Sequence, residues 1–233
     1  MSATKDVVLL LGSGPNWISE VKKSMKTLLE LQTNKAVKGK YIVKIVDKSI
    51  LPDVLLDTEI PKELKSFGIV SIEFNNTDVF EFLTLYSNRD IKFIYSSRMF
   101  EHLQEKDIFY LLYLLYSVSK KNAFLRIIVP DFLEVLEELE KLSVEDCSVK
   151  EFREKLTSVT TEIFNEPSDP HKSVWTTQLA EYYITTEKYW DLLTVKHTTV
   201  DNRSWYLDIT AKRNEPYYCK KKGETYDNID SED

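Results

Sequence analysis

The chain has 233 residues, a formal net charge of −7 and a pI near 5.2. That length suits one large domain or two small ones with a substantial core, and the acidic balance argues against a general nucleic-acid binder, which is usually basic. Cys147 and Cys219 lie far apart in sequence and suggest neither a disulfide framework nor a zinc site. The longest apolar stretch, Ile108 to Val118, is shorter than the roughly 20 residues that cross a bilayer. The N-terminus MSATKDVV lacks the apolar core of a signal peptide, so a cytoplasmic protein without a membrane segment is expected.

No internal repeat is visible. Val7 to Leu11 is continuously apolar, the pattern of a strand buried on both faces. From Ile18 the apolar positions Val21, Met25, Leu28, Leu29 and Leu31 recur at helical spacing, which predicts a helix to about Gln32. Strands are expected at Tyr41–Val46, Ile69–Phe74, Ile91–Tyr95 and Phe124–Val129. A short helix begins after Thr77 or Asp78, and an apolar helix covers Ile108–Val118. Asp131 reads as the cap of a further helix, followed by another over Val149–Phe164, a polar loop Asn165–Ser173 and a helix near Thr177–Thr185. Two strands near Leu192–His197 and Trp205–Ala211 complete the pattern. Residues 1–212 are thus expected as one domain, and 213–233 as a polar, disordered tail. Strands alternating with helices predict an α/β fold whose mostly parallel sheet carries helices on both faces.

Only five glycines occur, and Gly12 and Gly14 stand one residue apart in "LLLGSGPNW" at the end of the first strand. Either the turn needs unusual backbone angles or a ligand comes close to bare backbone. The third glycine of the dinucleotide fingerprint is missing, which weakens a nicotinamide or flavin reading. Asp47, ending the second strand, can accept hydrogen bonds from both hydroxyls of a ribose, or cap a turn. Asp78 can accept from an adenine amino group or cap its helix; Asp57, in the long connection before the third strand, competes with it.

Glu101-His102-Leu103 after the fourth strand and Val129-Pro130-Asp131 at the end of the fifth, read with the Gly-x-Gly-Pro loop and "DPHKSVWTTQLAEYYI", resemble the class I S-adenosylmethionine-dependent methyltransferases, in the type 11-like, Gly-x-Gly-Pro branch. The resemblance spans roughly residues 6 to 212. It implies a Rossmann-like seven-stranded sheet with an antiparallel last strand, and S-adenosyl-L-methionine across the ends of the first and fourth strands. Gly12, Ser13 and Gly14 would lie beside the methionine portion and Asp47 at the ribose, with Asp78 near the adenine. Ser96 and Ser97 would approach the transferred methyl, and Glu101 could bond the cofactor's amino group or support the loop. Two departures stand out: "SVSKKNAFL" replaces the usual glycine-rich turn before the fifth strand, and the connection between the second and third strands is long.

Methyl transfer needs an in-line nucleophile about 3 Å from the methyl carbon, and an alcohol nucleophile gains from a base. His102 on the catalytic rim and His171 in the loop "EPSDPHKS" are the candidates, each with a packing or solvated-loop alternative; His197 lies in a strand and reads as structural. No metal-ligand spacing is visible, which disfavours a metal-dependent reaction. Trp17, Trp175, Trp190 and Trp205 could shape an acceptor pocket, and Tyr110, Tyr113 and Tyr116 suit core or a subunit contact, leaving a homodimer open. The expectation is O-methylation of a small-molecule or saccharide acceptor; the alternative is a non-catalytic cofactor-binding or scaffold protein. The missing Asn/Asp-Pro-Pro-Tyr/Phe motif after the fourth strand, where "YSSRMF" stands, speaks against base methylation.

Overall fold

The apolar run opening the chain forms β1 (Asp6–Leu11), and its side chains divide between the two faces of a sheet. Val7, Leu9 and Leu11 join one buried cluster, while Val8 and Leu10 join the other. Alternation along a strand makes this division automatic, and both faces must be covered for all five side chains to leave water. Each such side chain contributes on the order of 1.5–3 kcal/mol by burial. The computed structural model describes residues 5–12, 14–32, 40–48, 60–141, 148, 150–154, 156–157, 170–200 and 203–214.

One face is covered by α1 (Trp17–Leu31), whose Val21, Met25 and Leu28 follow the helical spacing read from the sequence. The four-residue α2 (Lys62–Lys65) adds Leu64 to the same side. The opposite face receives α3 (Val79–Leu85), α4 (Glu105–Val118) and α6 (Thr177–Thr185), while α5 (Phe132–Glu140) buries Val135. The remaining strands are β2 (Tyr41–Val46), β3 (Ile69–Asn75), β4 (Ile91–Ser97), β5 (Ser119–Pro130), β6 (Trp190–Val200) and β7 (Arg203–Arg213).

The seven strands run in the order β3-β2-β1-β4-β5-β7-β6. All neighbours from β3 to β5 are parallel, and β7 is antiparallel to both β5 and β6. The chain steps outward from β1 through β2 to β3, then returns to place β4 on the other side of β1. Connections therefore diverge between β1 and β4, and such a switch point opens a crevice at the strands' carboxyl ends. Among the described residues, no helix is long and apolar enough to cross a membrane.

The departure "SVSKKNAFL" has a structural answer. β5 starts immediately after α4, and Asn122 takes φ 60°. Ile91 faces Ser119 while Phe93 already faces Phe124, so the extra residues bulge out of the ladder. Asparagine tolerates the left-handed conformation better than most side chains, which lets it stand where a glycine turn is usual.

Other expectations shift. Tyr110 and Tyr113 are exposed on α4, outside the core, whereas Ile108, Leu111, Leu112, Leu115 and Val118 are buried. Helical spacing assigned those tyrosines to an apolar helix without showing which side faced the sheet. Trp175 and Trp190 are core residues, each 1% exposed, so they are not open platforms for an acceptor. Parts of the helix expected over 149–164 are described at 150–154 and 156–157. The remainder, with Ser13, Asp57 and the tail from 215, lies outside the described residues.

Arg126 on β5 and Asp208 on β7 form a bidentate ion pair, with both nitrogen–oxygen distances 2.7 Å. Arg126 also donates to the Thr27 hydroxyl of α1 and lies over the Tyr95 ring. Burial works to lower the Arg126 pKa, but the Asp208 hydrogen bonds and charge outweigh it and hold the value above the ordinary one.

Candidate functional site

Four strand ends build a cavity of about 370 Å³ at the switch point. Gly12 follows β1; Val46, Asp47 and Lys48 end β2; Thr77, Asp78, Val79 and Phe80 follow β3; Arg98, Met99, His102 and Leu103 follow β4. Backbone hydrogen bonds fix these ends to one another: the Gly12 amide donates to the Val46 carbonyl at 3.2 Å, and the Asp47 amide to the Asn75 carbonyl at 3.1 Å.

Gly12 has φ +67°, a conformation that side chains other than glycine adopt at a cost. Its missing side chain also admits a neighbour, because a Cβ there would lie 2.9 Å from the Met99 Cβ. The glycine thus serves both a turn and a close approach, and the group that approaches in this structure is Met99. Gly14 opens a single 3-10 turn, Gly14–Asn16, that leads into α1.

Asp47 and Asp78 both line the cavity, from adjacent strand ends. The Asp78 carboxylate accepts from the Phe80 amide at 2.8 Å, capping α3, and pairs with Lys48 at 2.6 Å. Partial burial pushes its pKa up, but the Lys48 and Phe80 hydrogen bonds outweigh this and hold it below the usual carboxylate value. Asp78 is therefore a cap in addition to a cavity wall.

Ser96 and Ser97 end β4 but are buried, and neither is among the cavity-lining residues. Strand alternation turns Ser96 toward the side of Ile94 and Ser97 toward that of Tyr95. The Tyr95 phenol is held far above its ordinary pKa by burial and by the adjacent Glu20 carboxylate, so it remains protonated and cannot serve as a base near neutral pH.

Glu101, His102 and His171 come together although a long stretch of chain separates the last from the first two. A 3-10 turn, Phe100–His102, buries Glu101 to 2% exposure. The Glu101 carbonyl accepts from the amides of Lys172 and Ser173 at 2.8 and 3.1 Å, which ties the 170–173 loop to this turn. His102 lines the main cavity and packs edge-on against His171, ring centroids 4.8 Å apart. His171 and Glu101 line a smaller neighbouring cavity with Pro130, Phe132, Ser173 and Trp175. One potential ligand atom from each of Glu101, His102 and His171 lies within 4.8 Å of the others. Pairwise sequence spacing shows no such cluster, because the fold supplies it.

Lys48, Phe80, Arg98 and Met99 are cavity residues that the sequence reading did not single out, and Thr77 entered it only as a possible helix cap. The signal for Arg98 and Met99 was their place between Ser97 and Glu101 in the loop after β4. Arg98 has φ 57°, and its amide donates to the Ile128 carbonyl at 2.9 Å, so the chain turns sharply there. Asp131 caps α5 through the Leu133 amide at 3.0 Å, and His197 bridges Asp131 and Glu134 at the surface.

The sheet order, its antiparallel β7 and the helices on both faces are those of the class I S-adenosylmethionine-dependent methyltransferase fold. Among solved structures, an S-adenosylmethionine-dependent methyltransferase from Methanosarcina mazei is similar over 90% of this chain and 93% of its own, with TM-score 0.52 and 14% identity. The 1,6-didemethyltoxoflavin-N1-methyltransferase of Burkholderia thailandensis, solved with S-adenosylhomocysteine, is similar over 91% of this chain and 72% of its own, with TM-score 0.51 and 10% identity. The magnesium protoporphyrin IX methyltransferase of Synechocystis PCC 6803, also solved with S-adenosylhomocysteine, gives TM-score 0.51 at 10% identity over 90% and 75% of the two chains. No protein-family model matches the chain, and no curated protein matches it in sequence. These likenesses establish the fold; the neighbours' acceptors are their own.

Proposed function

We propose that the chain binds S-adenosyl-L-methionine in the switch-point cavity and methylates a hydroxyl of a small-molecule or saccharide acceptor. The observation carrying this reading is the convergence of Gly12, Asp47 and His102 on one cavity of about 370 Å³ in a methyltransferase fold. That volume falls in the range of small-ligand pockets, roughly 300–1,000 Å³. Asp47 supplies a carboxylate at the end of the second strand for the two ribose hydroxyls. Arg98, following β4, supplies cationic charge for the carboxylate of the methionine portion, and Phe80 an apolar wall. Ser13, Gly14, Ser96, Ser97 and Glu101 remain proposed cofactor neighbours; Glu101 lines the smaller cavity, and Ser96 and Ser97 line neither.

The bound sulfonium supplies an electrophilic methyl group. The chain's task is to hold the acceptor oxygen in line and remove its proton. His102 stands on the cavity wall beyond β4, with His171 against it, and these two imidazoles are the proposed acceptor-side groups. The saccharide option rests on the sequence resemblance of the Gly-x-Gly-Pro loop.

Calorimetric titration with S-adenosylhomocysteine tests the reading. Binding to the intact chain, weakened at least tenfold in Asp47→Ala, supports it, whereas no binding to a folded chain refutes it. A second reading, a cofactor-binding or scaffold protein without turnover, is favoured by Met99 lying against the Gly12 backbone. Binding without methyl transfer to any member of a broad acceptor panel would select that reading.

A further inference from the structure

We propose that Glu101, His102 and His171 form a binding site for a borderline divalent cation of the Zn²⁺ or Co²⁺ type, at the junction of the two cavities. Two imidazoles and one carboxylate are a donor set suited to such ions, and three protein ligands leave a coordination position open for water or a substrate oxygen. One donor atom from each residue lies within 4.8 Å of the others. Donors around an ion at ~2.0–2.1 Å sit roughly 3.4 Å apart, so closure takes side-chain shifts of about 1 Å.

The framework holding these donors is built from backbone. Glu101 and His102 are consecutive in a 3-10 turn, whose His102 amide donates to the Met99 carbonyl at 3.1 Å. The loop bearing His171 is fastened to that turn by the Lys172 and Ser173 amides on the Glu101 carbonyl. The Ser173 hydroxyl adds a bond to the Phe100 carbonyl at 3.2 Å and accepts from the Trp175 indole at 3.1 Å. Trp175 is buried against Phe100, so the loop cannot move away without opening the core. Such fixed support is what keeps metal ligands close to binding geometry. The carboxylate of Glu101 is almost wholly inside, within reach of the donor atoms of both imidazoles.

The location gives the ion a task, and this part rests on the methyltransferase reading above. His102 faces the main cavity while Glu101 and His171 face the smaller one, which places the open position beside the acceptor space. An acceptor hydroxyl bound there is acidified by the cation and releases its proton to solvent. Its oxygen then forms the new O–C bond as the S–C bond of the sulfonium breaks. That electron pair stays on sulfur, and S-adenosylhomocysteine leaves as a neutral thioether. The imidazoles thus become ligands, and the ion takes over the activation of the nucleophile.

Ion binding is measured without cofactor or acceptor, so its outcome is independent of the methyltransferase reading. The full chain, stripped with chelator, is titrated with Zn²⁺ by calorimetry and with Co²⁺ by visible absorption. Expected are one ion per chain and cobalt bands of a nitrogen–oxygen site. Affinity should fall at least tenfold in both His102→Ala and His171→Ala and stay unchanged in His197→Ala. Glu101→Gln should also weaken binding; because that side chain is buried, the half-buried His171 provides the variant that keeps the fold. No binding to the folded chain overturns the proposal, as does binding indifferent to both His102→Ala and His171→Ala, or abolished by His197→Ala.

Discussion

A side chain on Gly12 would collide with Met99, whose Cβ lies 2.9 Å from the position a Gly12 Cβ would occupy. Two separate demands meet at this residue, since its φ of +67° already disfavours any side chain. Gly12→Ala should cost about 1–3 kcal/mol, a fall in Tm of roughly 2–12 °C for a chain of this size. Met99→Ala in that background should recover nothing, because it retains the offending Cβ. Met99→Gly should recover the steric part and leave the dihedral part. Thermal melts of the single and double variants separate the two contributions. Full recovery with Met99→Gly would show that the backbone angle carries no cost.

Much of this arrangement was legible in the sequence. Strand alternation, helical spacing and the cap residues Asp78 and Asp131 are local properties, and the structure has strands and helices where those patterns fall. Asp47 and Gly12 could be paired from sequence because both sit at strand ends, and parallel strands bring their carboxyl ends to one edge. The contact of His171 with His102 could not be read, since it depends on where a loop after α5 returns. Lys48 and Arg98 were equally hidden: a charged residue in a loop is the commonest of surface features, and only the fold turns these two toward a cavity. The tyrosines of α4 show the opposite limit, because a helix apolar on most sides does not reveal which side is outermost.

The Arg126–Asp208 pair joins β5 to β7, and Thr27 connects it to α1. The Asp208 side chain is 2% exposed and that of Arg126 is 16% exposed; without Arg126 the buried carboxylate keeps the more exposed Lys196 at 3.6 Å, and without Asp208 the guanidinium loses its bidentate partner. Asp208→Asn and Arg126→Met should each lose about 3–5 kcal/mol of unfolding free energy. The double change Arg126→Met with Asp208→Leu should be far less costly than the sum, because no unpaired charge remains. Urea unfolding of the four proteins forms the cycle; simple additivity would show that the two groups act independently.

Asp78 gives a pH signature. Its folded-state pKa is held below the ordinary value by Lys48 and the Phe80 amide against the opposing effect of burial. Stability from this group is therefore fully present above the unfolded value of about 3.9 and is lost as pH falls through the lower folded value. Asp78→Asn keeps an oxygen for the Phe80 amide and should change stability little at low pH, while removing the gain that wild type shows as pH rises toward about 4. Asp78→Ala should cost about 1 kcal/mol near neutral pH, where the cap itself is missing. Urea midpoints across the acid range for the three proteins check this; parallel curves for wild type and Asp78→Asn would assign the pH dependence to other carboxylates.

Ser173 is the small residue on which the acceptor-side loop depends. Its hydroxyl accepts the Trp175 indole proton at 3.1 Å and donates to the Phe100 carbonyl at 3.2 Å. In Ser173→Ala the indole N–H of a buried tryptophan loses that acceptor, a loss worth about 1–3 kcal/mol. The backbone bonds from Lys172 and Ser173 to the Glu101 carbonyl survive in principle, but the loop they hold becomes easier to open. Amide exchange should therefore quicken at Lys172 and Ser173 while the β1 amides, deep in the sheet, keep their protection. Ser173→Thr retains the hydroxyl and should restore slow exchange unless its methyl group disturbs the packing on Trp175. Uniform acceleration throughout the sheet in Ser173→Ala would mean that the residue supports global stability, and local acceleration alone identifies it as the fastening of the loop that carries His171.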